Sequence, residues 1–141
     1  MFATAVRSST SLYQRQAGAY NQVAVSTGVG GASAHGLIGM LYDGLMESMA
    51  QARGAMRSKS VDAKHRAIRR ALAIVDDGLR AGLNLEAGGQ LAAGLNDLYA
   101  YVTLRLTHAN LHNDESAIDE CVRLIEPLRS AWAQIGDQAP I

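Results

Sequence analysis

The sequence predicts an all-α protein: an antiparallel up-down four-helix bundle with a short N-terminal helical capping segment. Apolar residues make up 48% of the 141 residues but aromatics only 5%, an aliphatic composition suited to packed helices and too apolar for a disordered chain. Only Pro127 and Pro140 interrupt it, so most of the chain lacks the strongest helix breaker. Apolar side chains recur at steps of three and four, and no strand-like alternation competes with them.

The elements follow in order. Residues 1–33 are rich in Ser, Thr, Gly and Gln and are expected to be flexible, with a short capping helix around Leu12 to Tyr20. Ser33 reads as an N-cap for α1, expected over 34–56. The polar turn Arg57-Ser58-Lys59-Ser60 supplies a second N-cap candidate, Ser60, for α2 over 61–83, whose core stripe is Ile68, Leu72, Val75, Leu79 and Leu83. Gly88-Gly89 breaks the chain before α3, over 90–111, with Leu91, Leu95, Leu98, Val102 and Leu106 as its stripe. Asn113-Asp114 forms a turn and cap before α4, over 114–135, with Ile118, Val122, Ile125, Leu128 and Trp132 facing inward and Pro127 expected to bend it. Residues 136–141 read as a loose tail. Short turns between long helices favour antiparallel neighbours, hence the bundle.

Projection at about 100° per residue leaves more apolar surface than a core requires. On α1, Leu37, Ile38, Leu41, Tyr42, Leu45, Met46 and Met49 sweep about half the circumference, where a stripe of about 100° suffices. α2 carries a second, shallow stripe of Ala67, Ala71, Ile74, Gly78, Ala81 and Leu85. α3 carries Tyr101, Leu104 and Leu111 away from its leucines. Small residues beside large ones make a groove, and Met40, Met46, Met49 and Met56 suit adaptable contact. Any one stripe is equally consistent with a thicker core or a homodimer seal; three together point to a groove for an apolar helix. The glycines in and beside the helices read mainly as places of close helix–helix approach.

Composition excludes several classes. Thirteen basic residues balance thirteen acidic ones, against nucleic-acid or anionic-membrane binding, and no run reaches the length of a membrane span, so no membrane insertion is expected. No secretory-type apolar core opens the chain, and a cytoplasmic protein is expected. Cys121 is single, and its acidic neighbours Asp119 and Glu120 favour a core thiol over a nucleophile. No Glu is followed by a His three residues later, so a di-metal carboxylate site is not expected. His108 and His112 alone leave a metal site incomplete and read as a solvated pair at the end of α3. No catalytic constellation, metal or cofactor is expected, and an enzyme is not.

The motifs resemble those of the flagellar secretion chaperone family FliS. Its signature Ala-Ser-Pro-His-x-Leu-Ile-x-Met-Leu-Tyr-Asp-Gly reads here Ala32-Ser33-Ala34-His35-Gly36-Leu37-Ile38-Gly39-Met40-Leu41-Tyr42-Asp43-Gly44. Ile74-Val75-Asp76-Asp77-Gly78-Leu79, Gly88-Gly89, Leu98-Tyr99-Ala100-Tyr101, Ala109-Asn110-Leu111-His112-Asn113-Asp114 and Ala131-Trp132 follow in family order. Three departures are Ala34 in place of the helix-opening Pro, an N-terminal segment about ten residues longer than usual, and Pro127. The resemblance implies a cytoplasmic, non-enzymatic export chaperone. Its client would be the disordered C-terminal segment of flagellin, kept from polymerising and presented to the cytoplasmic domain of the flagellar type III export gate. It also implies that the N-terminal segment can cap the bundle, with Tyr20 of Ala19-Tyr20 tied to that switch and to gate docking. The client groove is expected to be lined by Ile38, Tyr42, Ile74, Ala81, Leu85, Tyr101, Leu104 and Leu111, with Asn110 and Asn113 offering side-chain hydrogen bonds at one end. For Asn113, capping the turn before α4 is the stronger reading. A four-helix module that forms a homodimer is the alternative.

Overall fold

A computed structural model describes residues 33–136. Four long helices follow in the expected order: α1 (Ala34–Arg57), α2 (Val61–Ala73), α3 (Gly89–His112) and α4 (Glu115–Ile135). Each packs against its chain neighbours, and α4 closes back onto α1, which gives the up-down bundle. Apart from Gly136, the expected tail of 136–141 lies outside the described residues, as do the capping helix and Tyr20.

Ser33 caps α1 as its hydroxyl accepts from Gly36 N–H at 3.0 Å. Ser60 occupies the cap position of α2, but its side chain makes no cap hydrogen bond. Asp114 caps α4 by accepting from Ser116 N–H at 3.0 Å, and Asn113 ends α3 at φ 51°, a left-handed conformation that Asn tolerates well. Gly89, at φ +57°, opens α3 in the same region, where a Cβ would be strained. α4 runs through Pro127 and continues to Ile135.

The expected α2 over 61–83 is corrected in one respect. After Ala73 the chain widens into a π-helical segment, Ile74–Arg80, whose wider turn shows in the Ala81 N–H to Asp76 carbonyl bond at 3.2 Å. Within it Gly78 is buried, and a Cβ there would lie 3.1 Å from both Leu41 methyl carbons, so Leu41 of α1 packs directly on the backbone. The segment also turns Asp76 toward Thr103 (3.0 Å) and Arg80 toward Asn96 (2.8 Å), both on α3.

Leu45, Met49, Ile68, Val75, Tyr99, Val102, Leu106, Ile118, Cys121 and Ile125 form the fully buried centre. Two departures from the expected stripes stand out. Leu91, in the first turn of α3, is exposed, and the adjacent Ala92 takes the inward place. The broad apolar sweep of α1 is absorbed almost whole: Leu37, Leu41, Tyr42, Leu45 and Met49 are core, while Ile38, Met46 and Met56 pack against it. Ala67, Ala71 and Gly78 of the shallow α2 stripe are core as well, small because α1 comes close.

Candidate partner-binding face

The apolar surface left over is concentrated on α3 and the turn before it. Leu104 and Leu111, seven residues apart on the outer side of α3, are 66% and 75% exposed, and Tyr101 is 40% exposed. Leu85 and Leu91 are also more than half exposed, and Ala81 is exposed. Burying such side chains against a partner releases about 25 cal/mol per Å² of apolar surface, which isolated exposed residues forgo.

The remaining expected lining residues lie elsewhere. Tyr42 is in the core, its hydroxyl hydrogen-bonded to that of Tyr99 at 2.5 Å, and burial pushes its pKa up, an effect the Tyr99 bond partly offsets. Ile38 borders the same region at the foot of the bundle, beside a void of about 20 Å³ shared with Leu79, Leu83 and Trp132, about the size of one water. Ile74 is half-buried on the α1 side of its helix, its Cδ1 3.3 Å from where a Gly44 Cβ would stand. The expected residues therefore do not line one continuous groove in this conformation; Tyr101, Leu104 and Leu111 share a helix, with Ala81 and Leu85 in and beyond the π segment.

Asn110 and Asn113 serve the bundle. Lys64, nearly buried, donates to the Asn110 carbonyl at 3.0 Å and to Asn113 Oδ1 at 2.9 Å, placing a cation at the C-terminus of α3, where the helix dipole favours it. His65 Nδ1 pairs with Asn110 Oδ1 at 3.0 Å. The capping reading of Asn113 holds. His108 contacts Asp114 (3.2 Å) and tilts against His112 at a centroid distance of 4.5 Å; no group of three metal-ligating side chains occurs among the described residues.

Three features escaped the sequence reading. One is the Lys64 clip. The second is a clasp between the start of α1 and the end of α4: the His35 and Trp132 rings stack at 4.9 Å, Trp132 Nε1–H donates to the His35 carbonyl at 2.9 Å, and His35 Nε2 meets the Trp132 carbonyl at 2.7 Å. An open cleft of about 570 Å³ lies beside it, with Asp43 and Arg129 paired across it at 2.6 Å. The third is a polar knot on the α4 side of Tyr101: Glu120 accepts from Tyr101 Oη at 2.6 Å and Arg105 Nε at 2.8 Å, bonds that hold its carboxyl below the usual range and push Tyr101 up. Cys121 is buried, and desolvation pushes its thiol up to about 12, as a core cysteine requires. No described helix is long and apolar enough to cross a membrane.

Comparison with known proteins gives one consistent result. The sequence matches the family described as flagellar protein FliS over residues 16–139. It is 44% identical to the flagellar secretion chaperone FliS of Salmonella typhimurium over 121 residues, covering 86% of this chain and 90% of that one. It is 42% identical to the flagellar secretion chaperone FliSB of Pseudomonas aeruginosa over 113 residues, 80% and 89% of the two chains. With FliS of Escherichia coli it shares 34% over 116 residues, 82% and 85% of the chains.

Proposed function

Given that the chain belongs to the FliS family of flagellar secretion chaperones, we propose that it binds the C-terminal segment of flagellin in the cytoplasm, keeps it from polymerising, and delivers it to the flagellar type III export gate. The observation that carries the reading is the aligned pair Leu104 and Leu111 on α3, large apolar side chains left in solvent while the apolar surplus of α1 is spent in the core. A client that orders on binding gives up part of its contact energy to conformational entropy, so a long apolar strip suits it better than a pocket. Ala81, Leu85 and Tyr101 extend that strip; Ile38, Ile74 and Tyr42, packed toward α1 and the foot of the bundle, contribute only if the bundle opens there. Asn110 meets the client by the edge of its amide while its oxygen stays with His65. Tyr20 couples the N-terminal segment to client exchange and gate docking. With no nucleotide chemistry expected, loading and release are exchanges between partners, and the role is non-enzymatic.

The test is titration calorimetry with the C-terminal ~40 residues of flagellin from the same cell, a length allowing the burial usual in coupled folding. One-to-one binding with a large negative heat-capacity change supports the reading. No binding, with a dimer in sedimentation, makes the α3 strip a subunit interface and overturns it.

A further inference from the structure

Three of the four histidines stand at the end of the bundle where α3 runs into the turn before α4. His35 is at the opposite end, held in the Trp132 clasp, and His65 spends Nδ1 on Asn110 Oδ1 at 3.0 Å. His108 and His112 remain. They occupy the last turns of α3 four residues apart, so the helix brings them together on one side. Their ring centroids are 4.5 Å apart with the planes tilted by 43°, and water reaches both: His112 is exposed and His108 half-exposed.

The contacts of His108 decide which nitrogen it offers. Its Nε2 lies 3.2 Å from Asp114 Oδ2, a carboxylate that can only accept, so Nε2 carries the proton and Nδ1 of the neutral ring keeps its lone pair. A carboxylate behind an imidazole in this way orients a metal-ligating histidine and raises its basicity. His112 makes no hydrogen bond among the described residues, which leaves its lone pair unused. At an imidazole-to-metal bond of about 2.0–2.1 Å, two rings sharing one ion in adjacent coordination positions have centroids about 4.5–5 Å apart. The two rings already stand at that separation. The C-terminus of α3 favours a cation through the helix dipole, and Asp114 adds negative charge; the opposing charge is Lys64, which is clipped to the Asn110 carbonyl and Asn113.

We propose that His108 and His112 form a two-imidazole chelate for a divalent ion of the nickel, copper or zinc type, with water completing the coordination shell. Imidazole suits these ions, whereas magnesium and calcium take oxygen ligands. The chelate exists only while the end of α3 is helical, because residues four apart lose their spacing in an extended chain. Binding therefore favours the folded protein and fastens α3 at its junction with α4.

The test is thermal melting of the full chain, free of any oligohistidine tag, with excess nickel chloride. Nickel raises the midpoint by several degrees, and magnesium chloride at the same concentration leaves it unchanged. His112→Asn, which removes a ring that makes no hydrogen bond, abolishes the nickel-induced rise. His108→Asn does the same when compared with its own metal-free midpoint, since it also loses the Asp114 contact, and His65→Asn retains the rise. In amide NMR spectra, paramagnetic nickel broadens residues 108–112 first. No rise in the unsubstituted protein, an equal rise with magnesium, a rise that survives His112→Asn, or broadening centred on His35 or His65 overturns the chelate.

Discussion

Replacing Leu104 and Leu111 together by Ser tests the partner face without touching the bundle. In the free protein Leu104 is already 66% exposed and Leu111 75% exposed, so little native contact is lost and folding stability should change by no more than about 0.5 kcal/mol. A client that covers them completes their burial. Fully burying a leucine contributes about 1.5–3 kcal/mol, and the fractions still exposed are two thirds and three quarters, so each side chain holds about 1–2 kcal/mol of unrealised binding energy. The pair therefore accounts for about 2–4 kcal/mol, a loss of roughly 30- to 1000-fold in affinity when both are serine. Calorimetry against the flagellin segment reads the affinity, and urea unfolding of the same samples reads the stability. Unchanged affinity would refute the assignment of the face. An unfolded double variant would show that the two leucines pack in the native state and that their exposure has been misread.

Three other outcomes follow from the packing. Ser48 is fully buried and its hydroxyl has no hydrogen-bond partner among the described residues, so Ser48→Ala should raise stability by about 1 kcal/mol and the thermal midpoint by several degrees; a lower midpoint would mean the hydroxyl is engaged. Trp132→Phe removes the donor to the His35 carbonyl and should cost about 1–2 kcal/mol in urea unfolding, and a loss of a few tenths would mean the clasp adds nothing. Asp114 is held below the ordinary carboxylate range, first by the Ser116 hydroxyl, and Glu120 likewise by Tyr101 and then Arg105. Both carboxyls therefore stabilise the fold above the ordinary carboxylate range, and that contribution disappears as pH falls through their lowered values. Unfolding measured against pH should show Asp114→Asn with a shallower acid limb than the unsubstituted protein; identical limbs would remove Asp114 from the account.

Local chemistry made much of this protein legible in its sequence. The four helices, the Ser33 and Asp114 caps, the Asn113 turn and the break at Gly88-Gly89 each depend on a residue and its near neighbours along the chain, so a linear reading finds them. Cys121 falls in the same class: an apolar stripe with acidic neighbours already marks a core thiol, and burial confirms it. The exposed side of α3 was legible too, because Tyr101, Leu104 and Leu111 oppose a stripe strong enough to fix which way that helix faces.

Other features depend on contacts distant in sequence, and there the linear reading fell short. Periodicity shows that α1 is apolar over half its surface but not how many neighbours will cover it; two flanking helices do, and Tyr42 becomes core through a hydroxyl pair with Tyr99, 57 residues away. The π-helical segment has no composition of its own: it appears where Gly78 meets Leu41 and where Asp76 and Arg80 meet α3. Lys64 looks like any helix-surface lysine until the end of α3 comes within its reach, and His35 and Trp132 meet only because α4 returns to the start of α1. The sequence by itself determined which segments are helical, how they are capped and which side of α3 stays wet, since these are set by bonds and spacings within a few residues. Only the tertiary structure decided which apolar surplus is core and which is free, because burial is a property of neighbours the chain brings together from far apart.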